Sequence, residues 1–478
     1  MAVARITILS NDDIEAVHAK TLDLLENPGV RIQSERALKL LEDGGAKIDR
    51  KGMRASIPEG LVKETLRKLP KKMKLCARNP KQDMTAPKTD YPYMATNGTA
   101  VYVADPDTGE KRTSLAKDLR KFMIISDAMA PLDYVWPIVT SHDAPEKARS
   151  LHDLAIGLEN TTKHFQGEAL SAEEARAQIE LASAVVGGPD ALAKRPIFSV
   201  IQCPICPLEL EKGSVEAVIE FAKAGIPVVS MSMALTGLTS PVTLAATTAI
   251  INAENLASFA VSQMSSPGAP VVYSSESTSP NMLTGEIHYG ALEEILLAAA
   301  SAQMAKHYGA TTMVGGFGLG LGGEVPGIYI DPAELVFTSI TSMTLTDFAS
   351  GIGGLDQAKG SSMEQVVIDC DMWEQIREFR KDVAFDDARF ALDLIRKVGS
   401  GGDFLKETHT SRNLRKELFM PSQDKRKVYS SYQLNKGRKQ MVEEAKKRVN
   451  MILSTHVPEP LDSDIKKKMK TVLEKHTT

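Results

Sequence analysis

Two glutamates are the strongest acids among the residues that the sequence places at the ends of buried strands. Glu168 follows the run 164–167, and Glu276 follows the run 271–275. Two carboxyl groups that meet in one pocket can work as an acid and base pair, or can serve as counter-ions for a bound cation. Each can instead accept hydrogen bonds from backbone or hydroxyl groups at its strand end. The residue types alone leave these three roles open.

Aromatic residues make up only 5% of the chain, and several of them flank predicted strand ends. These residues are Tyr93, Phe165, Tyr273, Phe317 and Tyr329. Two or three converging rings hold a quaternary ammonium group by cation–π attraction. For any single ring, packing in the core is the alternative. His142 and His288 also follow strand ends, where either could bind a carboxylate, and His288 could instead cap the helix predicted from Gly290.

A glycine-rich loop lies in the stretch 310–332, after the β-favouring run 311–314. Glycine occupies positions 315, 316, 318, 320, 322 and 323. The spacing in 318–323 fits G-x-G-x-x-G, but these glycines end well before the next helix and lie late in the chain, unlike a dinucleotide-binding turn. We therefore predict a loop at the rim of a ligand site, in which Gly316, Gly318 and Gly320 leave room for an approaching group.

The pair Cys203-Pro-Ile-Cys206 has the spacing of half a zinc site, but the sequence contains no second half. Redox use is disfavoured because Pro207 follows the pair and the helix begins only later. Four cysteines in 478 residues do not form a disulfide framework. We predict ordinary thiols and no metal site.

The elements that must position these residues alternate between strand and helix. The predicted strands are 92–97, 134–140, 164–168, 197–203, 227–233, 271–276, 311–316 and 348–355. The helices that follow them are 114–130, 146–159, 172–186, 213–224, 241–264, 290–308, 333–345 and 361–380. Eight such units with mostly apolar strands predict a (β/α)8 TIM barrel, with an open doubly wound sheet as the alternative. In a barrel, residues at the carboxyl ends of the strands meet at one face.

Three segments follow from this pattern. Residues 1–90 form an N-terminal helical cap and lead-in, residues 91–385 the barrel, and residues 386–478 a Lys/Arg-rich C-terminal helical extension. The net charge of −4 argues against nucleic acid as a partner. The N-terminus lacks a signal-peptide core and no apolar run of 18 residues appears, so we expect a cytoplasmic protein without a membrane partner.

Five segments, taken in order, resemble one known family. They are LLENPGVRIQSERALKLLEDGGAKIDRKGMRASIPEGLVKETLRKLP, VYVADPDTGEKR with the following TSLAKDL, NTTKHF, the stretch from MALTGLTSPVTLAATTAIINAEN to GAPVVYSS, and GGDFLKETHTSRNLRKELFMPSQDKR. They are similar to the trimethylamine/glycine-betaine corrinoid methyltransferase family over most of the chain, from about Thr21 to Arg426. The founding members carry pyrrolysine near the glycine-rich loop, whereas this chain has GFGLGLGGEVPG there. The chain therefore resembles the non-pyrrolysine branch.

The resemblance implies a barrel that passes a methyl group from a methylamine or betaine to Co(I) of a separate corrinoid protein. No cofactor is then bound in this chain, no catalytic side chain is needed, and the partners are the corrinoid protein and a small quaternary amine. A homo-oligomer is also implied. We expect glycine betaine as the substrate, with trimethylamine, carnitine, proline betaine and γ-butyrobetaine as alternatives. A lyase or aldolase using the glutamate pair, and a non-catalytic betaine-binding protein, remain alternatives from other classes.

Within that function, the substrate-binding residues predicted are Tyr93, His142, Phe165, Glu168, Tyr273, Glu276, His288 and Phe317. The rings would surround the trimethylammonium group, a glutamate would add opposite charge, and a histidine would bind the substrate carboxylate. The glycines of the loop would admit the broad corrin ring.

Overall fold

The structure is a computed structural model that describes residues 5–105, 108–330, 332–341, 343–379, 386–418 and 434–477. The strands are β1 Val30–Ile32, β2 Lys47–Asp49, β3 Arg54–Ser56, β4 Met73–Leu75, β5 Met84–Ala86, β6 Tyr93–Thr96, β7 Tyr102–Ala104, β8 Lys111–Thr113, β9 Tyr134–Val135, β10 His164–Glu168, β11 Phe198–Gln202, β12 Glu209–Leu210, β13 Val228–Ser232, β14 Val271–Ser275, β15 Thr311–Val314, β16 Phe348–Ile352, β17 Gly354–Leu355 and β18 Gly360–Ser361. The helices are α1 Asn11–Glu26, α2 Glu35–Asp43, α3 Glu59–Arg67, α4 Ala116–Ala128, α5 Arg149–Asn160, α6 Ala172–Val186, α7 Pro189–Lys194, α8 Lys212–Ala224, α9 Leu244–Ser265, α10 Leu292–His307, α11 Pro332–Thr341, α12 Met363–Phe379, α13 Asp387–Phe390, α14 Leu392–Val398, α15 Thr408–Glu417, α16 Leu434–Thr455 and α17 Ser463–Thr477.

Eight parallel strands form a closed barrel. Their order is β6, β9, β10, β11, β13, β14, β15 and β16, which then pairs with β6 again. Closure confirms the predicted TIM barrel and rules out the open doubly wound sheet. Most of these strands are buried along their whole length, because helices cover the outside and side chains fill the inside.

The outer layer contains the apolar helix α9, which packs against α1, α8 and α10. This is the one described helix that has the length and hydropathy to cross a membrane, and 83% of its most apolar window is buried inside the protein. Such burial is that of a core helix in a folded domain. The layer presses directly on the strands, so outward strand residues pack among helices while inward ones line the barrel.

The N-terminal segment, predicted to be helical, contains α1, α2 and α3. Ser10 caps α1: its Oγ accepts from the Asp13 amide at 3.2 Å, and the Asp13 carboxylate accepts from the Ser10 amide at 2.9 Å. Strands β1 to β3, which were not predicted from the sequence, form a small sheet together with β12, a short strand that follows the barrel strand β11. The segment is therefore mixed helix and sheet.

A short hairpin of β4 and β5 closes the amino end of the barrel. Its inward residues Met73, Leu75 and Met84 are at most 3% exposed and belong to the same apolar cluster as barrel residues such as Tyr134 and Phe348. The His164 ring reaches the hairpin side as well, since its Nδ1 lies 2.7 Å from the Cys76 carbonyl. Side chains therefore fill the amino-terminal half of the barrel interior.

The C-terminal helices α16 and α17 return to the barrel and pack on α12 and α6. Helices α13 to α15 lie between α12 and α16 in the sequence and have no buried residue. The predicted boundary between residues 385 and 386 falls at the edge of 380–385, which lie outside the described residues. The segment boundaries as such stay predictions.

Candidate functional site

Polar side chains replace apolar ones at the carboxyl end of the barrel interior. Along β10, alternation turns His164, Gln166 and Glu168 inward, and Gln166 Nε2 lies 3.8 Å from Met313 Sδ inside the barrel. On β14 the same alternation carries from Val272, a member of the interior cluster, to Glu276. The two predicted glutamates therefore face into the same end of the barrel.

Glu276 stands between β15 and β16. Its Oε1 accepts a 3.0 Å hydrogen bond from Ser350 Oγ. Gly315 lies against its other side, where a side chain would collide with the carboxylate. Burial raises the pKa of Glu276, and the hydrogen bond from Ser350 offsets part of that rise. The carboxylate nevertheless remains partly exposed, which indicates that it lines a cavity within the barrel.

The carboxyl group of Glu168, at the end of β10, is desolvated like that of Glu276. Burial raises the pKa of its carboxyl group, and the negative charges of Asp153 and Glu174 raise it further. Within the described residues, no lysine, arginine or histidine forms an ion pair with Glu168 or Glu276. Two desolvated carboxyl groups that face the same end of the barrel, without an ion-pair partner among the described residues, favour a cationic ligand.

Cys203 lines the same cavity, one position beyond β11. The residue is solvent-exposed, yet burial raises the pKa of its thiol to about 12, with further contributions from the charges of Glu276, Glu168 and Glu254. A side chain that is surrounded by protein atoms and is nevertheless accessible to solvent is expected to face an internal cavity. A pKa this high keeps the thiol neutral and makes it a poor nucleophile.

Tyr289 and Glu294 also belong to this site, and neither was predicted from the sequence. Burial raises the pKa of Tyr289, as do the charges of Glu276, Glu294 and Cys203, so the phenol lies close to all three. Glu294, on the first turn of α10, accepts from the Gly290 amide at 2.5 Å, while its Oε1 is buried without a hydrogen-bond partner in the described part of the chain. Burial raises the pKa of Glu294 to about 8, with a contribution from Glu276. A pKa of about 8 favours the protonated form of Glu294 at pH 7.

Three of the predicted cage residues point the other way. Phe165 packs against Gly157 of α5, Tyr273 donates from its hydroxyl to Asn252 Oδ1 of α9 at 3.2 Å, and Phe317 packs edge-on against Trp373 of α12 at 5.3 Å. These three rings lie in the layer between barrel and helices, so the prediction that they surround the substrate is wrong. The reason is the alternation of strand side chains, which places Phe165 and Glu168, three residues apart, on opposite faces.

Tyr93 faces the barrel interior, but it lies at the amino end and not at the carboxyl end, where the two glutamates lie. It is the first residue of β6, its ring stacks on Phe348 at 5.5 Å, and its hydroxyl accepts from the Thr85 amide of the closing hairpin at 3.3 Å. Besides Tyr289, a ring that faces inward beyond the end of its strand is Trp136, just after β9, where Gly98 makes room for it. Trp136 Nε1 is buried without a hydrogen-bond partner among the described residues. Because the predicted strand 134–140 contains Trp136, the sequence did not mark this residue as one that lies at a strand end.

The two histidines lie in loops at the carboxyl end and already have partners. His142 Nδ1 lies 3.3 Å from Ser114 Oγ and 3.2 Å from the Ser114 carbonyl. His288 Nε2 lies 2.9 Å from Glu334 Oε1. The structure brings neither of them into contact with Glu168 or Glu276, and their role toward a substrate carboxylate stays a prediction.

The glycine-rich loop is packed by the protein's own atoms. A Cβ atom at Gly316 would meet Glu294 Oε1 at 2.6 Å. One at Gly318 would meet Leu321 at 2.8 Å, and one at Gly320 would meet Gln365 and Leu355 at 2.7 Å. The prediction that these three glycines leave open space for a corrin ring is therefore wrong. Close packing of side chains on the loop explains them instead.

Asp369 of α12 fixes this loop to the barrel. Its carboxylate accepts from the Gly353 amide at 2.8 Å and from the Leu319 amide at 3.3 Å.

The two cysteines of the C-x-x-C pair have different surroundings. Cys203 faces the cavity, whereas Cys206 Sγ lies 3.0 Å from Glu254 Oε2. Among the described residues, no cluster of three or more histidine, cysteine or acidic side chains has the arrangement of a metal site.

Comparison with known proteins identifies the family to which the chain belongs. The sequence model of the trimethylamine methyltransferase (MTTB) family matches residues 1–478. The chain belongs to that family. It is 30% identical to the trimethylamine methyltransferase MttB of Desulfitobacterium hafniense strain DSM 10664 / DCB-2, over 97% of this chain and 93% of the relative.

The MTTB family includes relatives with a second substrate in their names. The chain is 28% identical to the glycine betaine methyltransferase of D. hafniense strain Y51, over 98% of this chain and 96% of that protein. It also aligns with the crystal structure of the Methanosarcina barkeri monomethylamine methyltransferase MtmB, at 11% identity and a TM-score of 0.48, over 94% of this chain and 96% of that one. As an MTTB family member the chain is a methyltransferase, which decides against the lyase and the non-catalytic alternatives.

Proposed function

We propose that this MTTB family member transfers a methyl group from a quaternary ammonium substrate, with glycine betaine as the first candidate, to Co(I) of a separate corrinoid protein in the cytoplasm. The observation that carries the proposal is the pair Glu276 and Glu168. Both carboxyl groups are desolvated and neither has an ion-pair partner among the described residues. A permanent cation is the ligand that such a pair is missing.

The nature of the cation distinguishes quaternary from tertiary amines. A protonated tertiary amine can pass its proton to a carboxylate whose pKa is raised, and the ion pair then disappears. A quaternary ammonium group has no proton to give, so its charge stays in place beside Glu276. Relatives carry the names of both substrate classes, and a charge that persists beside Glu276 favours the quaternary class.

The reaction asks little of the side chains beyond binding. In the proposed step the Co(I) electron pair forms a bond to the methyl carbon, the carbon–nitrogen bond breaks, and the electron pair of that bond stays on nitrogen, giving a neutral tertiary amine. No proton is needed, so a general acid is not required. Glu276 and Glu168 would hold the cation in position, and the closed lower barrel behind them would keep water out. The neutral thiol of Cys203 and the neutral Glu294 fit a site without its own nucleophile.

The test is an anaerobic assay of methyl transfer to free cob(I)alamin, followed by methylcobalamin absorbance. The substrates are glycine betaine, proline betaine, carnitine, γ-butyrobetaine and trimethylamine. We expect transfer from at least one quaternary amine and none from trimethylamine. Transfer from trimethylamine alone would overturn the quaternary assignment, and turnover with none of the five would overturn the substrate class.

The carboxylate role is tested in the same assay. Glu276→Gln keeps the shape of the side chain and removes its charge, so KM for the quaternary substrate should rise about tenfold or more. Glu64→Gln is the matched control, because Glu64 pairs with Lys68 on the surface of α3. If the KM values of the two variants match that of the wild type, Glu276 does not bind the cation.

A further inference from the structure

Large apolar side chains are exposed along one side of the barrel mouth. They follow four consecutive barrel strands, β10, β11, β13 and β14, at the carboxyl ends where the glutamate site opens. We call them the apolar arc: Leu170 (66% exposed), Ile205 (48%), Leu238 (60%), Val242 (70%), Met282 (68%) and Leu283 (96%). Soluble domains rarely leave such side chains grouped in water, and groups of them mark interaction surfaces.

The arc has a built shape at its centre. Pro280 and Ile287 form a bridge that closes a short hairpin, and Met282 and Leu283 stand at its tip. The tip leans onto the neighbouring loop: the Met282 side chain and Val242 Cγ2 lie 3.3 and 3.6 Å from the position of a Cβ on Gly237. Two loops from different strands are thereby joined into one apolar surface.

A groove of about 490 Å³ continues this surface between α1 and α9. Val242 separates two of its lining residues, Pro241 and Thr243, and the remaining walls are mostly alanine and aliphatic side chains such as Ala16, Leu24 and Ile250. Its charged residues Lys20 and Asp23 neutralise each other at 3.0 Å. The lining of the groove is therefore mainly apolar and its one charged pair is neutral, so it fits a partner that presents apolar side chains.

We propose that the apolar arc and this groove dock the corrinoid-carrying protein. The inference rests on the proposed function, because that reaction brings a protein-bound cobalt to a methyl group beside Glu276. The arc borders the opening through which the cobalt must reach that group, and it follows the strands that carry Glu168, Cys203 and Glu276. A permanent second copy of this chain seated on the arc would stand beside that opening and compete with the cobalt-bearing partner. The surface therefore takes a partner that comes and goes with each turnover.

The test compares two methyl acceptors with one set of variants. The acceptors are free cob(I)alamin and the Co(I) form of a corrinoid protein from the same organism that accepts methyl groups from the wild-type chain. The arc variant is Met282→Asp combined with Leu283→Asp. The control is Val457→Asp, because Val457 is 81% exposed in the loop between α16 and α17, and the nearby Glu459 carbonyl accepts a hydrogen bond from Arg78, which lies between β4 and β5 of the closing hairpin at the amino end of the barrel.

We expect the arc variant to transfer methyl groups to free cob(I)alamin at the wild-type rate, while kcat/KM for the corrinoid protein falls about tenfold or more. The control should change neither rate. Equal loss with both acceptors would mean that the hairpin shapes the substrate site, and unchanged transfer to the corrinoid protein would mean that it docks elsewhere; either result overturns the proposal.

Two further readouts distinguish docking of the corrinoid protein from self-association and from failure of the proposed function. If the arc variant changes only the oligomeric state in sedimentation velocity and keeps transfer to the corrinoid protein, the arc contacts a second copy of the chain and the proposal is overturned. If the wild type transfers to neither acceptor, the proposed function itself fails, whatever the variants do.

Discussion

Gly315 lies directly against the carboxylate of Glu276. A Cβ atom at position 315 would come within 2.3 Å of Glu276 Oε1 and 2.5 Å of its Cγ. The next residue, Gly316, stands in the same relation to Glu294. The first two glycines of the loop therefore exist to make room for two carboxyl groups, and any side chain there must push a carboxyl group out of place.

Gly315→Ala should therefore impair substrate binding more than folding. The added methyl group moves the Glu276 carboxylate away from Ser350, and KM for the quaternary substrate should rise about tenfold. Steady-state kinetics and thermal melting measure the two effects. Gly60→Ala is the control, since a Cβ at Gly60 meets nothing within 4 Å and lies on α3; it should leave KM unchanged and stabilise slightly. A Gly315→Ala variant with wild-type KM would show that the position of Glu276 does not matter.

Substrate affinity should increase as the pH rises. Burial raises the pKa of free Glu276 above the ordinary value of about 4.3. A bound cation favours the ionised form and lowers that pKa, so binding at a pH below the free-state pKa releases protons. Affinity therefore climbs with pH from the ordinary carboxyl range and levels off above the raised pKa. Calorimetry in two buffers of different ionisation enthalpy measures the released protons. In Glu276→Gln the proton release should shrink; undiminished release would assign it to another group.

Phe317→Leu and Tyr273→Leu should act on stability and leave KM unchanged. Phe317 contacts Trp373 and Tyr273 hydrogen-bonds to Asn252 in the helical layer, so each variant removes core packing at a cost of about 1–3 kcal/mol. Chemical denaturation and substrate kinetics test this together. Glu276→Gln should give the reverse result, a higher KM with little loss of stability. A large rise in KM for either ring variant, without unfolding, would return that ring to the site.

Glu294 should make the protein less stable as the pH rises through neutrality. Its folded-state pKa of about 8 lies above the unfolded value, so the stability it contributes is complete below the ordinary carboxyl pKa and is lost as the pH rises to about 8. A fall in stability with rising pH is expected for a buried acid that is protonated in the folded state. Melting temperatures from pH 5 to 9 should fall less steeply for Glu294→Gln than for the wild type. Parallel curves would show that Glu294 titrates normally.

The architecture could be predicted from the sequence because each barrel strand is a short apolar run followed by a helix. All eight predicted strands are present, including the first one, which the structure begins at Tyr93. The strands of the N-terminal sheet were missed because β1 to β3 are three residues each, which is too short for their alternation to stand out in the sequence. Segments this short depend on contacts with β12, which is distant in sequence.

The acids of the site could be predicted and the rings could not. Strand ends identified Glu168 and Glu276, but buried parallel strands are apolar on both faces, which hides the face that each ring occupies. Counting in twos from the glutamates would have helped, because Tyr273 lies three residues before Glu276 and so faces away. Tyr289 and Glu294 lie beyond that reasoning, since a loop and a helix turn bring them to the cavity, and loop paths leave no periodic signal.

The hairpin of β4 and β5 makes the barrel a blind tube. Whatever enters at the carboxyl end must leave by the same way, and a protein seated over that end traps the small molecule beneath it. Under the proposed reaction this imposes a strict sequence of events: the amine arrives first, the cobalt-bearing protein second, and the demethylated amine departs only after that protein has left. Initial-rate kinetics should accordingly follow an ordered scheme in which excess corrinoid protein slows turnover.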